Sequence, residues 1–125
     1  MLKTHKDLTV WQDARKLVRE VYMVTKLFPK EELHCLTAQI RRCAISIPSN
    51  ISEGAARSGK KEFIRFLYIA LGSVSELKTQ ILLSKDLGYP GEIDSLLFKI
   101  DKIGKMISGL INALSKQMET HPPNH

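Results

Sequence analysis

Two helix-length apolar patterns lie between Leu36 and Leu77, in the stretch LTAQIRRCAISIPSNISEGAARSGKKEFIRFLYIALGSVSEL. In both patterns the apolar residues recur at alternating steps of three and four, which places them on one face of an α-helix. The pair Ser58-Gly59 divides the patterns, and these residue types favour a turn over a helix interior. The stretch therefore predicts two helices joined by a short connection.

The same spacing continues on both sides of this stretch. One pattern precedes it and ends at Pro29, and another follows the turn sequence GYPG at Gly88–Gly91. No segment alternates with the period of two that marks a half-buried strand. Because short connections favour antiparallel neighbours, the sequence predicts an all-α fold, an antiparallel up-down-up-down four-helix bundle with helices of about 20 to 27 residues. The predicted core residues are Val10, Ala14, Leu17, Val21, Val24, Phe28, Leu33, Leu36, Ile40, Ala44, Ile47, Ile51, Phe63, Leu67, Ala70, Val74, Leu77, Ile81, Leu96, Ile100, Ile103, Ile107, Leu110 and Leu114.

Length and composition fit one globular domain. The chain has 125 residues, of which 43% are hydrophobic and 26% charged. We predict a single bundle domain over residues 1–120 and a frayed tail over 121–125. The longest apolar run, Phe66 to Leu71, is far shorter than the roughly 20 residues that cross a bilayer, and the N-terminal residues lack the apolar core of a secretory signal. We therefore expect a cytoplasmic protein with no membrane contact.

The sequence offers no catalytic or metal-binding constellation. Cys35 and Cys43 are eight residues apart on one predicted helix, too far to form a disulfide, and we expect both to be small buried side chains. Of the four histidines, only His34 lies outside the terminal segments, and no pair has metal-ligand spacing. No Ser-His-Asp set, phosphate-binding loop or carboxylate pair is present. We expect no enzyme activity, metal or cofactor.

The second predicted helix carries ten uncharged residues between Arg42 and Glu53. Since an amphipathic helix usually solvates its outer face with charged residues, we expect this face to be covered by a neighbouring helix or by another subunit. The apolar spacing continues through Pro48, so a kink is predicted there rather than a break. The residues expected at this contact are Ile45, Ser46, Pro48, Ser49, Asn50, Ser52, Glu53 and Gly54.

A polar stripe runs along the same helix. Arg42, Ser46, Ser49, Glu53 and Arg57 fall within an arc of about 80°. The stripe is either a ligand-binding or catalytic surface, or a network of hydrogen bonds and ion pairs between helices or subunits. A single glutamate among arginines is a poor set for acid–base chemistry, which favours the network. Glu53 is either buried beside an arginine or exposed.

The chain resembles the bacterial 23S ribosomal RNA intervening-sequence proteins. The resemblance depends on DLTVWQDARKLVREVY at Asp7–Tyr22, on Phe28-Pro29, and on RR, SIPSNI, EG and GSxxEL in order within Leu36–Leu77. It implies an antiparallel four-helix bundle, assembly into a homo-oligomer that is usually a pentamer, and no enzymatic activity. This family is similar to the accessory proteins of diversity-generating retroelements, which are basic pentameric barrels that bind nucleic acid and a reverse transcriptase.

The resemblance also implies a set of signature residues. One departure is ISEG at Ile51–Gly54, where the family pattern has IAEG, and Ser52 is small enough to leave that packing undisturbed. The signature residues in this chain are Arg41, Arg42, Ser46, Pro48, Asn50, Glu53, Gly54, Arg57, Gly72, Ser73 and Glu76.

Two functions stay open at this point. The net charge of +6, with its excess on the first three predicted helices, permits but does not require binding of RNA or DNA through phosphate contacts. The candidate contacts are Arg15, Lys16, Arg19, Arg41, Arg42, Arg57, Lys60, Lys61 and Arg65. Arg41 and Arg42 are alternatively structural partners of Glu53 and Glu76, and Trp11, Tyr22 and Tyr68 are expected in the core or at its edge. The other function is an oligomeric scaffold for another protein, for example a reverse transcriptase, without nucleic acid.

Overall fold

Four α-helices make up most of the computed structural model, which describes residues 8–120. They are α1 (Thr9–Thr25), α2 (Leu36–Ala56), α3 (Lys60–Asp86) and α4 (Ile93–Thr120), with a 3-10 turn at Lys30–Glu32 between α1 and α2. No strand occurs within these residues. The all-α prediction is confirmed, and the predicted tail at 121–125 lies outside the described residues.

The helices pack in a ring that follows the chain order. α1 contacts α2 and α4, and α3 contacts the same two helices, as in a four-helix bundle. Only residues 57–59 connect α2 to α3, and Gly59 there has a φ of 88°, a backbone conformation that favours glycine. α2 continues through Pro48 without interruption. The antiparallel direction and the kink near Pro48 stay predictions.

The predicted core is confirmed at nearly all positions. Leu33 is the exception, because α2 begins at Leu36 and leaves Leu33 after the 3-10 turn, 47% exposed. Leu36 and Leu110 are half-buried at the edge of the core. The core also contains residues that the pattern did not include, namely Leu8, Cys43, Phe66, Ile93 and Ile111.

The connection between α1 and α2 is longer than predicted. α1 has 17 residues and ends at Thr25, before Pro29, a residue that disfavours helix in the chain preceding it. Phe28 nevertheless reaches the core, and its ring lies 5.2 Å from that of Tyr89. The Tyr89 hydroxyl donates a hydrogen bond to Glu32, and this bond raises the pKa of Tyr89 to about 12. The α3–α4 connection is thereby attached to the 3-10 turn.

α3 is long and apolar enough, by length and composition alone, to cross a membrane. One side of it supplies Leu67, Ala70 and Ile81 to the bundle core. The other side also carries apolar residues, and Tyr68 is 58% exposed there, so the prediction that it lies in or beside the core is wrong. Trp11 and Tyr22 are half-buried at the edge of the bundle. α3 therefore presents apolar side chains to the core and to its outer surface.

Both cysteines are free thiols. Cys43 is buried, as predicted. Cys35 is exposed, because it lies just before the first residue of α2 rather than on the helix face that meets the core.

Candidate functional site

Helices α2 and α3 approach closely at Gly54, in the seam between them. A Cβ atom at this position would lie 2.7 Å from the Cβ of Phe66 and 3.2 Å from the carbonyl oxygen of Phe63. Such distances leave no room for a side chain, so the glycine allows the two helices to approach. Gly54 is therefore required within the bundle itself and is not available for a contact with another subunit.

Short polar contacts cross the same seam further along α2. The Ser46 hydroxyl donates to the Cys43 carbonyl at 2.8 Å and lies 2.6 Å from the Ser73 hydroxyl. The Cys43 thiol contacts the Ser73 carbonyl oxygen at 3.0 Å, and Asn50 donates through Nδ2 to the Ser46 carbonyl at 2.8 Å. This part of the polar stripe is thus a hydrogen-bond network between helices, one of the two predicted alternatives.

A groove of about 390 Å³ continues the seam toward the start of α2. Arg42 and Glu76 are exposed on opposite sides of it, and neither forms an ion pair with any residue between 8 and 120. Gln80 is buried in the groove, and its Oε1 atom has no hydrogen-bond partner among residues 8–120. The residues that line the groove are Gln39, Arg42, Cys43, Ser46, Glu76 and Gln80.

The thiol of Cys43 is unreactive in this setting. Burial, and then the hydrogen bond and negative charge of the nearby Glu76, raise the pKa of Cys43 to about 12. A thiol with such a pKa stays protonated at neutral pH and is a poor nucleophile. The groove therefore offers polar binding groups rather than a catalytic cysteine.

The cations near the α2–α3 connection are largely paired. Arg57 forms an ion pair with Glu53 at 3.0 Å, and Arg65 forms one with Glu62 at 3.1 Å. Both guanidinium groups also lie over the ring of Phe66, at 5.1 and 4.6 Å from its centroid. Glu53 is 51% exposed. Of the two alternatives, burial beside an arginine or exposure, the second is therefore correct. Lys60 and Lys61, the remaining candidates in this region, are exposed at the start of α3.

Arg41 has a structural role. Its Nε atom donates to the Thr25 hydroxyl at 2.9 Å, and its guanidinium lies 4.5 Å from the ring centroid of Tyr22. These contacts link α2 to α1. The alternative that pairs Arg41 or Arg42 with Glu53 is wrong, because Glu53 is bound by Arg57.

Three of the predicted cations lie on α1. Arg15, Lys16 and Arg19 are exposed, and none of them has an ion-pair partner among residues 8–120. The Arg15 guanidinium lies 4.9 Å from the ring centroid of Trp11. Together with Trp11 and Val18 these residues line a shallow concavity on α1. An aromatic ring among unpaired cations is typical of a surface that contacts nucleic acid.

The uncharged face of α2 is only partly covered within the chain. Ser46, Asn50, Pro48 and Ser52 are half-buried. Ile45, at 41% exposure, and Ser49 lie open. The expectation of coverage by a neighbouring helix therefore holds for part of this face and not for Ile45 or Ser49.

The open surface continues onto α3. Gly72 is exposed there, and a Cβ at this position would meet no atom of the described residues within 4 Å. Tyr68 and Ile69 are also exposed on this helix. Gly72 was among the signature residues singled out in the sequence, whereas Tyr68 and Ile69 were not, because an apolar residue outside the core pattern gives no sign of which helix it will lie beside.

A family model described as 23S rRNA-intervening sequence protein matches residues 6–109. The chain belongs to this family. A crystal structure of a protein of unknown function from the S23 ribosomal protein family of Bacteroides thetaiotaomicron is similar to it, with a TM-score of 0.73 and 24% identity. The match covers 82% of this chain and 95% of that protein, and at this identity it shows the fold alone. No curated protein matches the chain.

Membership of the 23S rRNA-intervening sequence protein family agrees with the resemblance found in the sequence. The matched residues include α1, α2 and α3 and more than half of α4. The seam, the groove and the α1 cations all lie within them.

Proposed function

We propose that this protein is a non-enzymatic, cytoplasmic homo-oligomer that binds the phosphate backbone of RNA or DNA. The observation that supports this most is the set of exposed cations Arg15, Lys16 and Arg19 on α1, which lack ion-pair partners in the described part of the chain. Unpaired lysine and arginine release counterions from a polyanion on binding, which supplies affinity without sequence recognition.

Assembly would strengthen such a weak site. When several copies present the same cations to one polyanion, each contact after the first forms at a high effective concentration. The exposed residues Ile45, Ser49 and Gly72 carry no charge, and Gly72 has no side chain. A residue that contacts only water does not require either property, so this surface supports assembly. The pentamer implied by the resemblance is part of this proposal.

A salt titration tests the nucleic-acid part. Fluorescence anisotropy of a labelled single-stranded RNA should show binding at low salt, with an affinity that falls linearly with salt on logarithmic axes. The double variant Arg15→Gln with Arg19→Gln should lower that slope by about 0.7 for each phosphate that the protein no longer neutralises.

The matched control removes two cations that are already paired. Lys78 binds Asp101 at 2.9 Å and Lys85 binds Asp94 at 2.8 Å, both between α3 and α4. Changing these two lysines to glutamine alters net charge equally and should leave the slope nearly unchanged. If wild-type protein retains no RNA at low salt, the nucleic-acid proposal is wrong.

A second function is favoured by one specific feature. α3 exposes Tyr68, Ile69, Leu82 and Leu83, more large apolar side chains than any other described helix, and the exposed Leu87 follows its last residue. Exposed apolar side chains beyond those of an ordinary surface are typical of protein–protein contacts. An oligomeric scaffold for another protein, such as a reverse transcriptase, would use this surface. An assembled wild-type protein that binds neither RNA nor DNA would favour this second function.

A further inference from the structure

The groove between α2 and α3 contains a buried acceptor that has no partner among residues 8–120. Gln80 is only 9% exposed, and its Oε1 atom accepts no hydrogen bond from these residues. Buried polar atoms in folded proteins almost always have a partner, because an unsatisfied one is destabilising. Gln80 therefore points to a bound group that donates a hydrogen bond.

Two opposite charges line the same groove. Arg42 lies on the α2 side and Glu76 on the α3 side, and neither forms an ion pair with any residue between 8 and 120. Glu76 and Gln80 are four residues apart on α3, so they are neighbours on one helix face. The carboxylate also lies near the buried Cys43 thiol, whose pKa it helps to raise. One wall of the groove thus offers two adjacent acceptors, and the other wall offers a guanidinium.

This pattern of charges narrows the chemistry of the ligand. An anion that bound Arg42 would be repelled by Glu76, and a simple cation that bound Glu76 would be repelled by Arg42. An uncharged ligand would leave both charges without a partner. A molecule with an ammonium and a carboxylate satisfies every group. The ammonium donates to Glu76 and to Gln80 Oε1, and the carboxylate accepts hydrogen bonds from the Arg42 guanidinium.

The size and the remaining lining of the groove fit a small zwitterion. Its volume of about 390 Å³ lies near the lower end of the range of small-molecule sites, about 300–1,000 Å³. Gln39 also lines the groove and carries an uncharged amide, which can donate and accept hydrogen bonds. An uncharged polar side chain on the ligand therefore suits this site.

We propose that the α2–α3 groove binds a free α-amino acid with an uncharged polar side chain, its ammonium on Glu76 and Gln80 and its carboxylate on Arg42. All of these residues belong to one chain. The inference therefore depends neither on nucleic-acid binding nor on assembly, and it extends beyond the proposed function.

A titration with L-glutamine and two analogues tests the ligand class. The amide signals of ¹⁵N-labelled wild-type protein should shift with a Kd of about 1 mM or lower. N-acetyl-L-glutamine lacks the ammonium, and L-glutaminamide lacks the carboxylate. Each should bind about tenfold to a hundredfold more weakly, because one charged group of the groove loses its partner. If L-glutamine does not bind at millimolar concentration, or if all three compounds bind equally, the inference is wrong.

Substitutions in the groove should remove each preference separately. Glu76→Gln should bind L-glutamine more weakly and no longer distinguish it from N-acetyl-L-glutamine, and Arg42→Gln should no longer distinguish it from L-glutaminamide. Both positions are exposed, so helix content should stay unchanged. Lys105→Gln and Glu119→Gln, exposed on α4 and outside the groove lining, are the matched controls and should bind as the wild type does. Variants of Glu76 and Arg42 that keep both preferences would overturn the proposal.

Gln80→Met tests the buried acceptor, because it nearly keeps the volume of the side chain and removes the oxygen. L-glutamine should bind about tenfold more weakly to this variant. The unfolding temperature of the ligand-free variant should not fall, since the unsatisfied atom is gone. Binding equal to that of the wild type would contradict the proposal, because a water molecule would then be sufficient to satisfy Gln80.

Discussion

Two glycines of the same sequence signature have different physical roles. A Cβ at Gly54 would lie 2.7 Å from Phe66, whereas a Cβ at Gly72 would meet nothing within 4 Å in the part of the chain that the structure describes. Gly54 is thus explained by packing inside the chain and Gly72 is not. The proposed contact with another copy would explain Gly72, which packing within residues 8–120 does not.

This contrast predicts opposite effects of one substitution. Gly54→Ala should lower the free energy of unfolding by about 1–3 kcal/mol, because the added methyl group overpacks the α2–α3 seam. Gly72→Ala should raise the stability of the dilute monomer by about 0.5–1 kcal/mol, because alanine favours the helix. Urea denaturation measures both, and equal effects at the two positions would contradict this account.

The two cysteines should differ in reactivity. At pH 8 a maleimide reagent should label Cys35, which is exposed, while Cys43 stays unlabelled because its pKa is raised to about 12. Mass spectrometry of the native protein should show one label per chain. Rapid addition of two labels would place Cys43 outside the core.

The raised pKa of Cys43 also has a consequence for stability. Its ordinary pKa is 9.0 and its folded pKa is about 12, so the neutral thiol stabilises the fold fully below about pH 9. That contribution is lost as the pH rises toward 12. The stability difference between wild type and Cys43→Ala should therefore shrink across this range and stay constant between pH 6 and 8. Denaturant midpoints measured at each pH provide the test.

At the scale of the helices, the repeated three–four spacing was sufficient to predict four helices and nearly all of the core. Leu67, Ile81 and Ile107 lie where the pattern places them. Helix ends were predicted less well, because they depend on local turn chemistry. Leu33 continues the apolar pattern and is nevertheless outside α2, since the chain forms a 3-10 turn after Pro29.

Substitutions of apolar residues on one helix should lower the free energy of unfolding by different amounts, depending on whether the residue faces the core. Leu67→Ala should lower the free energy of unfolding by about 2–5 kcal/mol, because Leu67 is fully buried. Leu87→Ala, just after the end of the same helix at an exposed position, should change it far less. Equal losses in thermal or urea unfolding would contradict the assignment of the α3 core face.

The site was less predictable than the fold, for a physical reason. The polar stripe on α2 was visible in the sequence, but its partners lie on α3. The Ser46–Ser73 contact and the unsatisfied Gln80 depend on how two helices align along their length, which spacing within one helix does not determine. The pairing of Glu53 with Arg57 follows from a separation of four residues on one helix and could have been predicted from the sequence.

At the scale of the whole molecule, the surfaces divide into two kinds. On α1 lie exposed cations that form no ion pair with residues 8–120, while Ile45 and Ser49 on α2 and Gly72 on α3 are exposed and uncharged. The cations suit contact with a polyanion, and the uncharged surface suits contact with another folded surface. An oligomer that assembles through the uncharged surface would present the α1 cations in several copies.

The central claim is that a second copy covers the open α2–α3 surface, and sedimentation equilibrium of the wild type beside Ser49→Glu tests it most directly. We predict that the wild type has a multiple of the 14.2 kDa chain mass, and that the introduced carboxylate gives a monomer with unchanged helix content by circular dichroism. A wild-type mass of 14.2 kDa at every concentration would contradict the claim.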